Sequence, residues 1–153
     1  MSTRSRGKRF VLWTLGSLLA IQVVPYGWSH TNPPIVQEPK WDSAETRELV
    51  KGACFDCHSN ETRWPPYAFV APGSWLLAYD VGAGRNHLNF SEWQKRQQHA
   101  KDAVDNVRKS DMPPVYYGWM HPPARLSDAD RERLAIGLEK TLGTGAAMPM
   151  GKD

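Results

Sequence analysis

Cysteine is scarce in this sequence, and several patterns that carry common chemistry are missing. The 153 residues include two cysteines, Cys54 and Cys57, and five histidines, no two of which are separated by three to five residues. This disfavours zinc sites, which need further cysteines or a close histidine pair. There is no catalytic carboxylate pair, nucleophile triad, phosphate-binding loop or internal repeat. Strand-like alternations of Val, Ile and Thr are also scarce, and the periodic stretches have helical spacing, so the sequence predicts an all-α fold.

Both cysteines fall in one short motif, Cys54-Phe55-Asp56-Cys57-His58. The spacing C-x-x-C-H is typical of c-type haem attachment. The two thiols can add to the two vinyl groups of one porphyrin, and His58 can then ligate the iron. A zinc site and a redox dithiol are the alternatives. A thioredoxin-like dithiol would require a neighbouring βαβ pattern, which the sequence lacks.

The first 28 residues differ from the remainder. A basic cluster over residues 4–9 precedes a largely apolar stretch from Phe10 to Val24, and Trp28 follows. This apolar segment approaches the ~20 residues that a membrane-spanning helix needs. The pattern predicts an N-terminal transmembrane anchor over residues 1–28, with a cleaved signal peptide as the alternative. Because basic ends stay in the cytoplasm, we expect the remaining chain on the periplasmic side of a bacterial inner membrane.

The charge and the prolines suggest how the chain is divided. Four basic and no acidic residues lie in residues 1–28, so the remainder carries a net charge of −1 although the whole chain carries +3. A basic surface for nucleic acid is therefore not indicated. Residues 29–40 contain three prolines and predict an extended tether. Residues 41–143 form the predicted haem domain, and residues 144–153 a flexible tail.

Four helices are predicted within that domain. The first begins with Asp42 as its cap and leads into Cys54, and the second covers Ser74 to about Val81. The third begins with Ser91 as its cap and ends before Met112-Pro113-Pro114. The last begins with Ser127 as its cap and is closed by Gly143. A small, all-α, cytochrome c-like domain is the expected architecture.

The iron face opposite His58 needs a ligand or is left open. Met112 is the first candidate, because the following proline favours an extended backbone that can present the thioether. His121 is the alternative, since prolines also constrain its loop. His87 and His99 are weaker candidates. A structural role is expected for His87, and His99 is expected on a solvent-exposed helix face. A methionine ligand raises the reduction potential relative to a second histidine.

Five strings resemble, in the same order, the bacterial haem-binding domain family of cytochrome c-like proteins. They are residues 54–65 (Cys-Phe-Asp-Cys-His-Ser-Asn-Glu-Thr-Arg-Trp-Pro), 71–76 (Ala-Pro-Gly-Ser-Trp-Leu), 87–93 (His-Leu-Asn-Phe-Ser-Glu-Trp), 112–114 (Met-Pro-Pro) and 121–127 (His-Pro-Pro-Ala-Arg-Leu-Ser). The resemblance implies one haem in a mostly helical domain. It also implies covalent attachment to Cys54 and Cys57, with His58 and Met112 as axial ligands.

These observations predict a membrane-anchored, monohaem electron carrier that serves an unidentified redox partner protein. An electron carrier needs a partly exposed haem edge and a docking surface, and no other catalytic constellation accompanies the motif. The alternatives are a small haem peroxidase, which needs an open iron face with an acid–base residue such as His121 or His87, and a haem-based redox or gas sensor.

Overall fold

The computed structural model describes residues 3–143, and within them the chain forms seven α-helices and no β-strand. The all-α prediction is thereby confirmed. The helices are α1 (Thr3–Ala20), α2 (Ala44–Ala53), α3 (Phe55–His58), α4 (Gly73–His87), α5 (Asp102–Arg108), α6 (Val115–Met120) and α7 (Asp128–Gly143). Short 3₁₀ turns cover Ile21–Val23, Pro66–Phe69 and Pro122–Ala124. The predicted tail over 144–153 lies outside the described residues.

The predicted transmembrane anchor is not supported. Over the part of the chain that is described, no helix combines the length and the apolar character needed to cross a bilayer. Helix α1 begins at Thr3, so it includes the basic cluster, and it ends at Ala20. The backbone becomes extended at Val24, after the first 3₁₀ turn. The apolar segment from Phe10 to Val24 is therefore divided among α1, which also carries the basic cluster, a 3₁₀ turn and one extended residue.

The chain divides into two compact units. The first combines the chain up to Thr31 with Trp64–Asp80, and the second combines Asn32–Arg63 with the chain from Val81 onward. In the first unit, the Gln22 side-chain amide exchanges two hydrogen bonds with the backbone of Ala71, at 2.9 and 3.0 Å. His30 Nε2 lies 2.8 Å from the Ala68 carbonyl oxygen. The His30 ring contacts Phe69 with a centroid distance of 4.2 Å.

The second unit contains the main apolar core and the C-x-x-C-H motif. The largest fully buried side chains of this core come from α2, α3, α7 and the segment after α4: Val50, Phe55, Phe90, Leu134 and Leu138. Helices α2 and α7 approach closely at Gly137, where an added Cβ would collide with the Thr46 side chain. The absence of a side chain at Gly137 therefore permits the close packing of α7 against the first turn of α2.

The helix starts show local hydrogen bonding that the sequence partly predicts. Ser127 Oγ accepts a hydrogen bond from the Asp130 backbone nitrogen at 3.1 Å, so the predicted cap of the last helix is confirmed. The first helix of the domain is capped by Ser43, whose Oγ accepts from Thr46 N at 3.1 Å, rather than by Asp42. Helix α4 continues past Val81, through two glycines, to His87.

The third predicted helix is largely wrong. Residues 91–101 form turns, and the helix begins only at Asp102. Gln97 Oε1 accepts from Asn89 N at 2.9 Å, and Gln97 Nε2 donates to Glu92 O at 2.9 Å. Such side-chain bonds to the backbone compete with helical bonds. Ser91 belongs to the same polar arrangement instead of capping a helix.

Residues 32–40, within the predicted tether, have no helix and are bonded to the second unit. The backbone nitrogens of Val36 and Gln37 donate to Ser91 O at 2.9 and 3.1 Å. Trp93 N in turn donates to Gln37 O at 2.9 Å. The segment therefore contributes backbone hydrogen bonds to the folded unit.

Candidate haem-attachment site

The motif forms one helical turn directly after α2. Cys54 is the C-terminal cap of α2 and the residue before α3, and its backbone nitrogen still donates to Val50 O at 2.7 Å. The Cys54 carbonyl oxygen accepts from Cys57 N at 3.1 Å and from His58 N at 2.8 Å. Residues three and four positions apart share a face of a helical turn. The turn therefore brings both thiols and the imidazole to one side.

Neither cysteine takes part in a disulfide, and both are half-buried. Burial raises the pKa of the Cys54 thiol to about 12, and the neighbouring Cys57 adds to this increase. Redox-active and metal-binding cysteines have depressed pKa values, because the thiolate is the reactive form. The surroundings of Cys54 thus favour a neutral thiol and do not resemble those of a redox dithiol.

His58 is held by its side chain and by its backbone. Nδ1 lies 3.0 Å from the Leu88 carbonyl oxygen, and the His58 carbonyl oxygen accepts from Phe90 N at 2.8 Å. Burial lowers the pKa of His58, so the ring is neutral at neutral pH. A neutral imidazole that donates from Nδ1 presents Nε2 as the ligand atom. This is the tautomer that an iron-ligating histidine requires.

Helix α4 packs backbone against backbone on the motif. A Cβ added at Gly84 would collide with the Cys57 carbonyl oxygen and lie 3.1 Å from Cys57 Cβ. The Gly84 carbonyl oxygen accepts from Leu88 N at 2.9 Å, so the glycine is one helical turn before the residue that binds His58. Gly84 therefore lets one helix position both a thiol residue and the acceptor of the imidazole proton.

Asp56, between the two cysteines, is buried and bonded to two other segments. Arg63 donates to Asp56 from its backbone nitrogen at 2.9 Å and from Nη2 at 2.9 Å. Tyr117 Oη, on α6, donates to Asp56 Oδ2 at 2.5 Å. Burial alone would raise the pKa of Asp56, but these hydrogen bonds lower it below its ordinary value. Asp56 is thus an ionised anchor that ties the motif to α6.

The segments on either side of the motif are joined by buried polar side chains. Asn60 N donates to Ser91 Oγ at 2.9 Å, Asn89 Nδ2 donates to Asn60 Oδ1 at 2.9 Å, and Ser91 N donates to Asn89 Oδ1 at 2.9 Å. All three side chains are buried. Buried polar groups that are fully hydrogen-bonded specify one arrangement of the backbone. The arrangement here fixes the exit of the motif against the segment that carries Leu88.

The two candidates for the distal ligand lie on either side of α6. Met112 precedes it, with its backbone nitrogen donating to Asn106 O at 3.1 Å and its side chain 37% exposed. His121 follows it and stacks on Tyr117 with a centroid distance of 3.9 Å. The contacts of the described residues join His121 to the motif, through Tyr117 and Asp56. Met112 as an axial ligand stays a prediction.

The weaker histidine candidates make hydrogen bonds and ring contacts with other residues, although the charge of His87 contributes to the lowered pKa of His58. His87 Nδ1 lies 2.8 Å from Ala83 O within α4, and its ring contacts the His99 ring with a centroid distance of 4.8 Å. His99 is exposed beside Asp102. No group of three or more His, Cys, Asp or Glu among the described residues is arranged to hold a metal ion.

Four functional residues are missed by reading the sequence alone: Asp56, Gly84, Leu88 and Tyr117. Leu88 acts through a backbone carbonyl, which carries no side-chain signal. Gly84 has the signal of a helix terminator but lies inside a helix. Asp56 could have been recognised from the sequence. It lies between the two cysteines of the motif, and a carboxylate that is buried there needs a hydrogen-bond partner.

The chemistry of these residues fits a haem. Two thiols outside any disulfide lie on one turn, beside a neutral imidazole whose Nδ1 is already bonded. The haem-binding domain family model matches residues 16–140, well over half of the chain. No curated protein and no solved structure matches the chain. Together with the motif order, the family match leads to one conclusion: this chain belongs to the haem-binding domain family and binds haem.

Proposed function

We propose that Cys54 and Cys57 attach a single haem c covalently and that His58 Nε2 is its proximal iron ligand. The hydrogen bond from His58 Nδ1 to Leu88 O carries this proposal, because it selects the ligand tautomer and fixes the ring. The helical turn supports it by placing Cys54 and Cys57 on the same side as that ring. The Cys54 environment, which favours the neutral thiol, is compatible with thioether formation.

The proposed activity is one-electron transfer. Haem iron supplies the redox couple, and the chain supplies the axial ligands and the surroundings that set its potential. His58, with its ring and backbone both hydrogen-bonded, would hold the iron through a ring of fixed orientation. Met112 is the proposed distal ligand. A carrier of this kind needs no further catalytic residue, and it would exchange electrons with a redox partner protein.

The proposed location is extracytoplasmic. The basic cluster followed by apolar residues in 1–28 supports export, either as a leader or as a membrane attachment. The net charge of −1 over the remaining chain is consistent with a domain that does not bind nucleic acid. Fractionation of cells that express the full chain tests this location.

Covalent attachment is tested by denaturing the purified, haem-loaded protein. We expect the pigment to stay with the polypeptide, and Cys54→Ser with Cys57→Ser to lose it. If the pigment separates from the wild-type chain, the haem is bound reversibly and the proposed covalent attachment is wrong.

Electron transfer is tested on the same preparation by absorption of the ferric and ferrous protein. A low-spin spectrum with a reversible redox couple supports a carrier. High-spin iron that binds cyanide or hydrogen peroxide readily would instead support the peroxidase alternative, because it shows an open distal face. Spectral changes of the reduced protein with carbon monoxide or nitric oxide would favour a sensor.

A further inference from the structure

The first compact unit combines exposed apolar side chains with a lack of charge. Residues 10–31 and 64–79 contain no Asp, Glu, Lys or Arg, although charged residues make up 23% of the whole chain. Within residues 66–79, which we call the 66–79 segment, the exposed large apolar side chains are Phe69, Val70, Leu76 and Tyr79. Single exposed apolar residues are normal in proteins, but their concentration on one uncharged segment indicates a surface that is covered in the functional state.

The chain that follows α1 is built into the same unit. The Gln22 side-chain amide exchanges two hydrogen bonds with the Ala71 backbone, at 2.9 and 3.0 Å. Gly27 has a φ of 78°, and a Cβ added there would collide with the Ser74 carbonyl oxygen, so the two backbones are in direct contact. Residues 22–27 therefore belong to the folded unit, which favours a retained N-terminal segment over a cleaved leader.

The side chains next to these contacts are also apolar and exposed. Val23 adjoins Gln22, and Tyr26 and Trp28 flank Gly27; the three are 75, 51 and 60% exposed, respectively. Tyrosine and tryptophan are enriched where acyl chains meet headgroups, because each has an apolar ring and a polar tip. Helix α1 extends the apolar surface toward the N-terminus, with the exposed side chains of Phe10, Leu12, Trp13, Leu15 and Leu19.

The charge distribution identifies the occupant of this surface. Arg4, Arg6, Lys8 and Arg9 directly precede the apolar part of α1, and the first acidic residue of the chain is Glu38. A basic cluster joined to exposed apolar side chains binds anionic lipids through both attractions. A docked protein would instead meet an apolar centre surrounded by a polar rim. We propose that the first unit binds an anionic phospholipid bilayer through residues 10–28 and the 66–79 segment together.

The 66–79 segment is the new element of this inference. It follows the C-x-x-C-H motif in the sequence, and it reaches the lipid-binding surface through its backbone contacts with Gln22 and Gly27. The inference rests on membrane attachment, one of the two alternatives proposed above for residues 1–28. It does not depend on how the haem is bound.

The first experiment measures amide hydrogen exchange of the full, haem-loaded protein by mass spectrometry, with and without vesicles of phosphatidylglycerol and phosphatidylcholine. We expect the protein to sediment with the vesicles and the 66–79 segment to exchange at least about threefold more slowly in their presence. Helix α7 is the internal control and should be unchanged. Unchanged exchange of the 66–79 segment would overturn the inference. Equal protection at high protein concentration without vesicles would also overturn it, because a second copy of the chain would then cover the surface.

The lipid composition tests the charge argument. Binding to vesicles that contain phosphatidylglycerol should be at least about tenfold tighter than binding to phosphatidylcholine alone, because the basic cluster attracts anionic headgroups. Equal binding to both kinds of vesicle would show that the surface does not recognise an anionic bilayer.

A double variant provides a second readout. Val70→Ser with Tyr79→Ser should weaken partition onto the anionic vesicles by roughly tenfold, because both side chains are exposed and lose apolar area. Ile136→Ser, at an exposed apolar position of α7, is the matched control and should change partition less than about twofold. Equal effects of the two variants would overturn the inference.

The mass of the chain recovered from cells separates this inference from the proposals above. We expect residues 1–28 to be retained. A chain cleaved near residue 28 would overturn the inference but leave the extracytoplasmic location standing. Pigment retention after denaturation, measured on the same sample, reports covalent haem attachment independently of the vesicle results.

Discussion

Gly84 lies so close to Cys57 that an added Cβ would come within 2.9 Å of the Cys57 carbonyl carbon. This approach brings the backbone of α4 directly against the backbone of the turn from Cys54 to His58. The same helix turn leads to Leu88, whose carbonyl oxygen binds His58 Nδ1. Gly84 therefore sets how closely α4 approaches Cys57 and, through Leu88, His58.

Gly84→Ala is expected to destabilise the protein by about 1–3 kcal/mol, the usual cost of an overpacked contact. The backbone of Cys57 cannot rotate away as a flexible side chain would, so α4 must shift. That shift would also move Leu88 O away from His58, so we expect less haem per chain. Urea unfolding and the ratio of Soret to protein absorbance measure the two effects.

Gly82→Ala is the matched control for Gly84→Ala. Gly82 lies in the same helix, and an added Cβ would meet no atom within 4 Å. Replacement of a helical glycine by alanine should increase the free energy of unfolding by roughly 0.5–1 kcal/mol. If the two variants have the same stability, the packing of Gly84 on Cys57 is not a constraint.

Tyr117→Phe removes the hydroxyl that donates to Asp56 and keeps the ring that stacks on His121. Asp56 would retain Arg63 but lose one partner of a buried carboxylate. A hydrogen bond to a charged, buried group contributes about 1–3 kcal/mol, so thermal unfolding should occur at lower temperature. Tyr79→Phe, at an exposed position of α4, should have no effect beyond about 0.5 kcal/mol. Unchanged stability in Tyr117→Phe would exclude the hydroxyl as a link between α6 and the motif.

The turn from Cys54 to His58 shows how far the sequence can predict this site. Its residues and their spacing predict a haem and its proximal ligand, because that chemistry depends on side-chain identity. The fixation of His58 depends on the backbone of Leu88, and the packing of Cys57 depends on a missing side chain at Gly84. Neither contact leaves a pattern in one sequence.

The fold shows the same division between local and distant causes. The start of α7 follows from a local cap, Ser127, and is predicted correctly. The turns over 91–101 depend on hydrogen bonds with residues outside that segment. Asn60, which is distant in the sequence, bonds to Ser91, and Asn89 bonds to Gln97. The helical spacing of apolar residues predicts a long helix there, but side-chain hydrogen bonds to the backbone stabilise turns instead. Helix α6 has only six residues, too few for the spacing of apolar residues to indicate a helix.

Glu38 is expected to make stability depend on pH in the acidic range. Arg47 donates to both carboxylate oxygens, from Nη2 at 2.7 Å and from Nε at 2.8 Å. The hydrogen bond from Arg47 lowers the pKa of Glu38 below its ordinary value of 4.5. A depressed pKa means that the ionised form stabilises the fold. This contribution is present above the unfolded-state pKa and is lost as the pH falls through the folded-state pKa.

Glu38→Gln should therefore lower the free energy of unfolding by about 1 kcal/mol at neutral pH. The difference in the free energy of unfolding between variant and wild type should shrink below about pH 4.5. Urea unfolding at several pH values measures this difference. Glu48→Gln is the control, because Glu48 is highly exposed and lies 3.5 Å from Arg47, where ion pairs contribute little. A Glu38 effect that is constant with pH would show that the pair does not titrate as described.

Met112→Ala is expected to remove the distal iron ligand. The ferric wild-type protein should show a methionine–iron charge-transfer signal in near-infrared magnetic circular dichroism. In the variant this signal should vanish, the iron should become partly high-spin, and the reduction potential should fall, because the thioether favours the ferrous state. His121→Ala is the matched comparison, since His121 lies on the other side of α6 and stacks on Tyr117. It should keep the methionine signal. A wild-type spectrum with a bis-histidine signature instead, kept in Met112→Ala and lost in His121→Ala, would assign the distal position to the histidine that the structure joins to Asp56.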